Sequence, residues 1–283
     1  MADMRVWAPN AHEVTLHSSD QVLAMTKETG GWWHVDAPFV HHGLDYAFAV
    51  DGNGPFPDPR SPWQPNGIHG FSRWVDHSAF KWTDAGWQQP PLGSAVIYEL
   101  HLGTFTPEGT CEAAIGRLDH LVELGITHVE LMPVAQFSGD RGWGYDGVDL
   151  YAPHQAYGGP EGLKRLVDAC HHRGLAVLLD VVYNHLGPAG NYLNQFGPYF
   201  TDRYATPWGE AVNFDEQDSH EVRQFFIDNA VMWLQDYHFD GLRIDAVHAI
   251  LDTSAIHFLE ALASAVKNLE ATLGRHLVLI AES

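Results

Sequence analysis

The chain has 283 residues, 45% of them hydrophobic, and 36 Asp and Glu against 15 Lys and Arg give a formal net charge of −21. That length allows one large core, or a large and a small domain. The acidic surplus argues against nucleic acid or an anionic membrane face as partner and leaves a neutral ligand as the natural one. No apolar run reaches about 18 residues, and the start, MADMRVWAPNAHE, has neither a basic nor an apolar leader segment. Neither a membrane span nor a signal peptide is expected, and the chain reads as cytoplasmic.

Residues 4–50 alternate short apolar and aromatic runs with turn signals: RVWAP, EVTLH, a Gly-Gly turn, WWHVDAP, and DYAFAV ending at Asp51-Gly52. Strands at such even spacing predict a small antiparallel β-sandwich. Trp32, Trp33 and Trp63 are better explained by packing than by a sugar platform. The stretch GPFPDPRSPWQPNGIHG is dense in Pro and Gly and predicts an ordered but irregular segment. The domain boundary is expected near QQPPLG, which divides the chain into residues 1–90 and 91–283.

Beyond it, strand-like runs alternate with helical ones. The runs cover 95–102, 126–134, 176–184, 241–247 and 277–283. Between the second and third, Leu163, Leu166, Val167 and Cys170 form a helical stripe; Pro160 suits its first turn and Gly174 its end. Val222, Phe225, Phe226 and Trp233 make a similar stripe before the fourth. Such alternation means a parallel sheet, either doubly wound or a (β/α)8 barrel. No GxGxxG or GxxxxGK[ST] follows the first strand, which favours the barrel. Cys111 and Cys170 both fall in predicted helices and read as buried thiols. The 19 histidines show no zinc-type spacing with a third ligand, so no metal and no cofactor is expected.

FDGLRIDAV, residues 239–247, puts Arg243 and Asp245 on one face of a strand and Leu242, Ile244 and Ala246 on the other. A buried charge must be paired. Taken alone, the couple fits a structural salt bridge or an edge strand as well as an active site. In barrels, however, functional groups sit at the C-terminal ends of strands. Asp180, Asn184 and His185 end the third strand, Arg243, Asp245 and His248 the fourth, and Glu282 the fifth.

DVVYNH (180–185), GLRIDAVH (241–248) and Glu282 in IAES resemble three ordered sequence stretches of the α-amylase superfamily, glycoside hydrolase family 13. The resemblance covers roughly residues 95–283, and the preceding sandwich is similar to an immunoglobulin-like, glucan-binding-type domain. It implies a (β/α)8 barrel with strands 1 to 5 present. It further implies Asp245 as nucleophile, Glu282 as acid and then base, and Arg243 as the group that keeps Asp245 ionised. Glu282 is expected to be held protonated until it acts, and retention of configuration follows if the carboxyls lie about 5 Å apart. Asp180, Asn184 and His185 would orient strands and grip the sugar, Tyr145 in GWGYDGVDLY would stack on it, and His248 would touch the sugar beyond the scissile bond.

Residues 55–76 and 184–215 resemble the trehalose-releasing members of the family, which implies maltooligosyltrehalose or a related α-glucan as partner. Tyr199, Phe200, Tyr204 and Trp208, in the long loop after the third strand, are expected to shape the reducing-side subsites. A glycogen-branching or debranching enzyme is the alternative within the family, and a non-catalytic glucan-binding protein the alternative outside it. The resemblance places a further acidic residue and three strands beyond Ser283, so residues 1–283 alone are expected to be inactive. The oligomeric state is left open.

Overall fold

A computed structural model of the chain describes residues 3–283. The alternating segment at the start forms two antiparallel sheets. The strands are β1 (Asp3–Trp7), β2 (Val14–Ser18), β3 (Val22–Ala24), β4 (Thr26–Lys27), β5 (Trp32–Asp36), β6 (Asp45–Val50), β7 (Asn53–Phe56) and β8 (Ser72–Arg73). One sheet has the order β1-β5-β4; the other has the order β3-β2-β6-β7, with β8 also on β6. Met4, Val6, Val14, Leu16, Trp33 and Phe48 are buried, as alternation along half-buried strands requires. The strands not anticipated from sequence, β3, β4, β7 and β8, are 2 to 4 residues long. They are too short to carry a period.

The second part opens with β9 (Ile97–Leu100), followed by the short helices α1 (Leu102–Phe105), α2 (Cys111–Ile115) and α3 (Leu118–Glu123), and then β10 (His128–Leu131). After β10 come β11 (Ala135–Gln136), β12 (Asp149–Pro153) and α4 (Gly159–His171). Next are β13 (Ala176–Val181), α5 (Leu193–Phe196), β14 (Phe200–Thr206), β15 (Gly209–Val212) and α6 (Ser219–Asp236). β16 (Gly241–Ile244), α7 (Phe258–Leu273) and β17 (Val278–Ala281) close the series. The expected strands β9, β10, β13, β16 and β17 form one parallel sheet in that spatial order. This is the strand sequence of a (β/α)8 barrel laid out from its first strand to its fifth.

The helical stripes do what their spacing implied. Leu163, Leu166, Val167 and Cys170 of α4 are buried, as are Val222, Phe225, Phe226 and Trp233 of α6. Burying each of the larger apolar side chains is worth about 1.5–3 kcal/mol. Cys111 and Cys170 are free and buried, and among the described residues no helix is long and apolar enough to cross a membrane.

Polar and aromatic contacts join the parts. Arg60 donates to Asp228 at 2.8 Å and to the Tyr151 hydroxyl at 3.0 Å, with its guanidinium over the rings of Trp32, Tyr151 and Phe225. Trp32 Nε1 donates to Glu221 at 3.1 Å, and Trp7 meets Tyr199 edge to face. Residues 74–96 then run under the N-terminal ends of the parallel strands. There Asp84 accepts from both His171 and His238 at 2.8 Å, while Trp82 and Trp87 stack on the two imidazoles. Trp33 is buried in the sandwich and Trp63 lies against Arg73. With Trp32 at the junction, the three tryptophans pack rather than form an open platform.

Candidate active site

In the parallel register Asp180 of β13 lies beside Arg243 of β16, and Arg243 lies beside Ile280 of β17. Residues paired across neighbouring parallel strands face the same side, and period two adds Asp245 and Glu282 to it. Four charged groups thus converge at the C-terminal ends of three strands. Arg243 Nη1 donates to both oxygens of Asp180 at 3.0 Å and to Asp245 Oδ1 at 2.7 Å, and Nη2 stands 3.5 Å from Glu282 Oε2. The question posed by FDGLRIDAV is answered by this bridge. The guanidinium compensates an Asp180 side chain that is 0% exposed.

Burial pushes the Asp180 carboxyl up to about 6, against the opposing pull of Arg243 and the Tyr145 hydroxyl. Arg243 is shifted further toward its charged form: burial disfavours the cation, but Asp180 and Asp245 outweigh it. Asp245 and Glu282 remain more open, with side chains 15% and 42% exposed. Glu282 Oε2 accepts the backbone N–H of Ala246 at 2.8 Å.

Tyr145 arrives on the loop between β11 and β12 and donates its hydroxyl to Asp180 Oδ2 at 2.8 Å. Gly144, at φ 98°, lets that loop in: a Cβ there would lie 2.2 Å from the Pro133 carbonyl oxygen. Gly187 does the same on the other side, where a Cβ would meet Asp146 O at 2.2 Å. The side chains of Asn184 and His185 are in contact at 2.9 Å, and burial pulls His185 below its usual value, toward the neutral imidazole. Trp208, from the β14–β15 hairpin, stacks on His185 with centroids 4.6 Å apart and planes 7° from parallel. Together with Asn191, Asn194, Phe200 and Glu210 the stacked pair lines a pocket of about 220 Å³. His248 stands apart, exposed on the turn after β16.

The aromatic set expected in the long loop divides. Phe200 and Trp208 border the pocket, whereas Tyr199 is buried against Trp7 and Phe225, and Tyr204 donates to Asp215 at 2.6 Å. Tyr199 therefore belongs to the junction of the two parts, because β14 leaves it on the sandwich side. Sequence reading also missed the backbone of Ala246, at φ 45° and ψ 53°. An alanine carries no signal for a left-handed turn. Among the described residues no group of three or more His, Cys, Asp and Glu side chains is arranged to hold a metal ion.

A family model for the alpha amylase catalytic domain matches residues 73–205, and one for carbohydrate-binding module 48, the isoamylase N-terminal domain, matches residues 2–64. The chain belongs to the α-amylase superfamily, glycoside hydrolase family 13. Within that family it is related to the malto-oligosyltrehalose trehalohydrolases: the protein of that name from Arthrobacter ramosus is 56% identical over 98% of the chain. The chain spans about half the length of the curated relatives it matches, 49% in that case. Among solved structures, a candidate alpha amylase from Salmonella typhimurium superposes with a TM-score of 0.94 at 43% identity, over 99% of this chain and 47% of that one. A pullulanase from Anoxybacillus sp. LM18-11, complexed with maltotetraose, gives a TM-score of 0.84 at 25% identity, over 99% and 47%.

Proposed function

We propose that the protein is a retaining α-glycosidase that cleaves the α-1,4 bond next to the trehalose end of maltooligosyltrehalose and releases trehalose. The observation that carries the chemistry is the Arg243 bridge, which holds Asp245 beside Asp180 with Glu282 on the next strand. In this reading Asp245 attacks the anomeric carbon as its bond to the glycosidic oxygen breaks, and Glu282 gives its proton to that oxygen. The resulting glycosyl ester is then opened by water, whose proton returns to Glu282. Arg243 orients the nucleophile and offsets the charge of two carboxylates. His185 and Tyr145 bind the sugar, Asp180 and Asn184 hold them in place, and His248 meets the sugar on the leaving side. Residues 91–283 contribute the chemistry, and residues 1–90 form a glucan-facing module.

The choice of substrate rests on the names of the relatives and on residues 55–76 and 184–215. It is tested in the full-length enzyme by offering maltooligosyltrehalose and the matching maltooligosaccharide. Trehalose release from the first, with slow cleavage of the second, is expected. Formation of new α-1,6 branches would instead identify a branching enzyme, and binding without turnover a glucan-binding protein. Asp245→Asn should lower turnover by several orders of magnitude while sugar still binds, because the amide cannot form the ester. Comparable rates in variant and parent would remove Asp245 from this role.

A further inference from the structure

Ala246 is one of four non-glycine residues with positive φ among the described residues, and it follows directly on Asp245. Its left-handed conformation is uncommon for a residue with a Cβ and persists only where surrounding contacts impose it. Besides the bond from the Ala249 N–H to Ala246 O at 2.8 Å within the turn, three of those contacts lead to Glu282. The Ala246 N–H donates to Glu282 Oε2 at 2.8 Å, the Val247 N–H donates to the Glu282 carbonyl at 2.9 Å, and the Glu282 N–H donates to Ile244 O at 3.1 Å. Residue 282 is thereby tied at three points to the main chain flanking Asp245, through both its backbone and its carboxyl group.

We infer that Ala246 is a positioning residue: its left-handed backbone aims an N–H at Glu282 Oε2, so that the transferable proton resides on Oε1 and the acid is held in register with Asp245. The inference rests on the reading of Glu282 as the acid. The chemistry follows from the donors. Oε2 faces the Ala246 N–H and, at 3.5 Å, the Arg243 cation, so a proton there would point into positive charge. Oε1 takes neither of these donors. Because the N–H belongs to the residue next to the nucleophile, a movement of Asp245 carries the acid with it. The arrangement asks for no particular side chain at position 246, only a backbone that can turn.

The test replaces Ala246 by lactic acid in the full-length enzyme, which exchanges the amide N–H for an ester oxygen and keeps the methyl group. On maltooligosyltrehalose kcat/KM should fall by about tenfold or more, within the range that acid catalysis contributes. On an α-maltosyl fluoride, whose leaving group departs without a proton, it should change by less than about twofold. Ala246→Gly, which keeps the N–H and adopts the turn freely, should retain parental behaviour on both substrates. Parallel losses on both substrates would reduce Ala246 to a fold role and overturn the inference. Should the ester protein not fold, the Ala246 amide proton of the parent, assigned against Ala246→Gly, should titrate with pH and cease to do so in Glu282→Gln; a flat amide signal overturns the inference equally. If Glu282→Gln and Asp245→Asn remain active, it is the reading of the acid that fails.

Discussion

At Arg243 one guanidinium nitrogen serves Asp180 and Asp245 while the other stands 3.5 Å from Glu282, a spread over three carboxylates that a planar fork reaches and a single ammonium nitrogen does not. Arg243→Lys should therefore keep the fold but lower kcat/KM for trehalose release about a hundredfold or more, the usual cost of removing one charge-orienting group from a preorganised site. A loss under about tenfold, with an unchanged circular dichroism spectrum, would make the bridge structural. Tyr145 serves Asp180 through its hydroxyl and has a ring to offer a sugar. Tyr145→Ala should weaken binding of maltooligosaccharide to a turnover-deficient variant by about 1–3 kcal/mol. Tyr145→Phe, which gives up only the hydrogen bond, should cost about 1 kcal/mol. Equal affinities in titrations of all three proteins would return Tyr145 to loop packing.

Among the elements, segment 74–96 is held to the barrel by charge as well as by aromatic contact. His171 donates to Asp84 and Asp240 at 2.8 and 3.0 Å under the ring of Trp87, while Arg275 donates to Asp240 and His238 to Asp84. Burial opposes the charged His171 ring, but the hydrogen bonds to Asp240 and Asp84 outweigh it and raise its proton affinity. For Asp84 burial is likewise outweighed, by the two imidazoles, and its carboxyl is held well below the usual range. A raised histidine contributes stability that is complete below its unfolded value, about 6.5, and is lost as pH climbs through the folded value. Melting temperature should accordingly fall as pH rises above about 6.5 in the parent. His171→Gln should start about 2–3 kcal/mol less stable and show a flatter alkaline decline. Parallel melting curves across that range would show that the proton on His171 does not hold the segment.

Over the whole molecule, the sandwich and the parallel sheet share Arg60, whose cation lies among three aromatic rings and pairs with Asp228. Cation–π contacts of this partly desolvated kind are worth about 1–2 kcal/mol, and the ion pair adds to them. Arg60→Ala in the full-length protein should lower stability by about 2–4 kcal/mol and open the junction between the two parts to limited proteolysis. Unaltered cleavage kinetics would place the strength of the junction elsewhere, at Trp7 and Tyr199. With a net charge of −21, three of the few cations are placed against internal carboxylate partners: Arg60 pairs with Asp228, Arg275 with Asp240, and Arg243 with Asp180 and Asp245.

Period and order were legible in the amino-acid sequence by itself. The five strands of the parallel sheet, the stripes on α4 and α6, and the placing of Asp180, Arg243, Asp245 and Glu282 at strand ends all follow from alternation and helical spacing, which are local properties. Three-dimensional contact decided the rest. That Arg243 answers Asp180 as well as Asp245 depends on the register between β13 and β16, and that Trp208 covers His185 depends on a hairpin folding back over a strand end. Tyr199 had the composition of a cleft residue and became part of the junction, because a ring's surroundings are set by its neighbours in space. Ala246 left no trace at all in the residue pattern. Its left-handed turn is imposed by hydrogen bonds to a residue 36 positions further along the chain, and an alanine adopts such a turn only where the surrounding fold compels it.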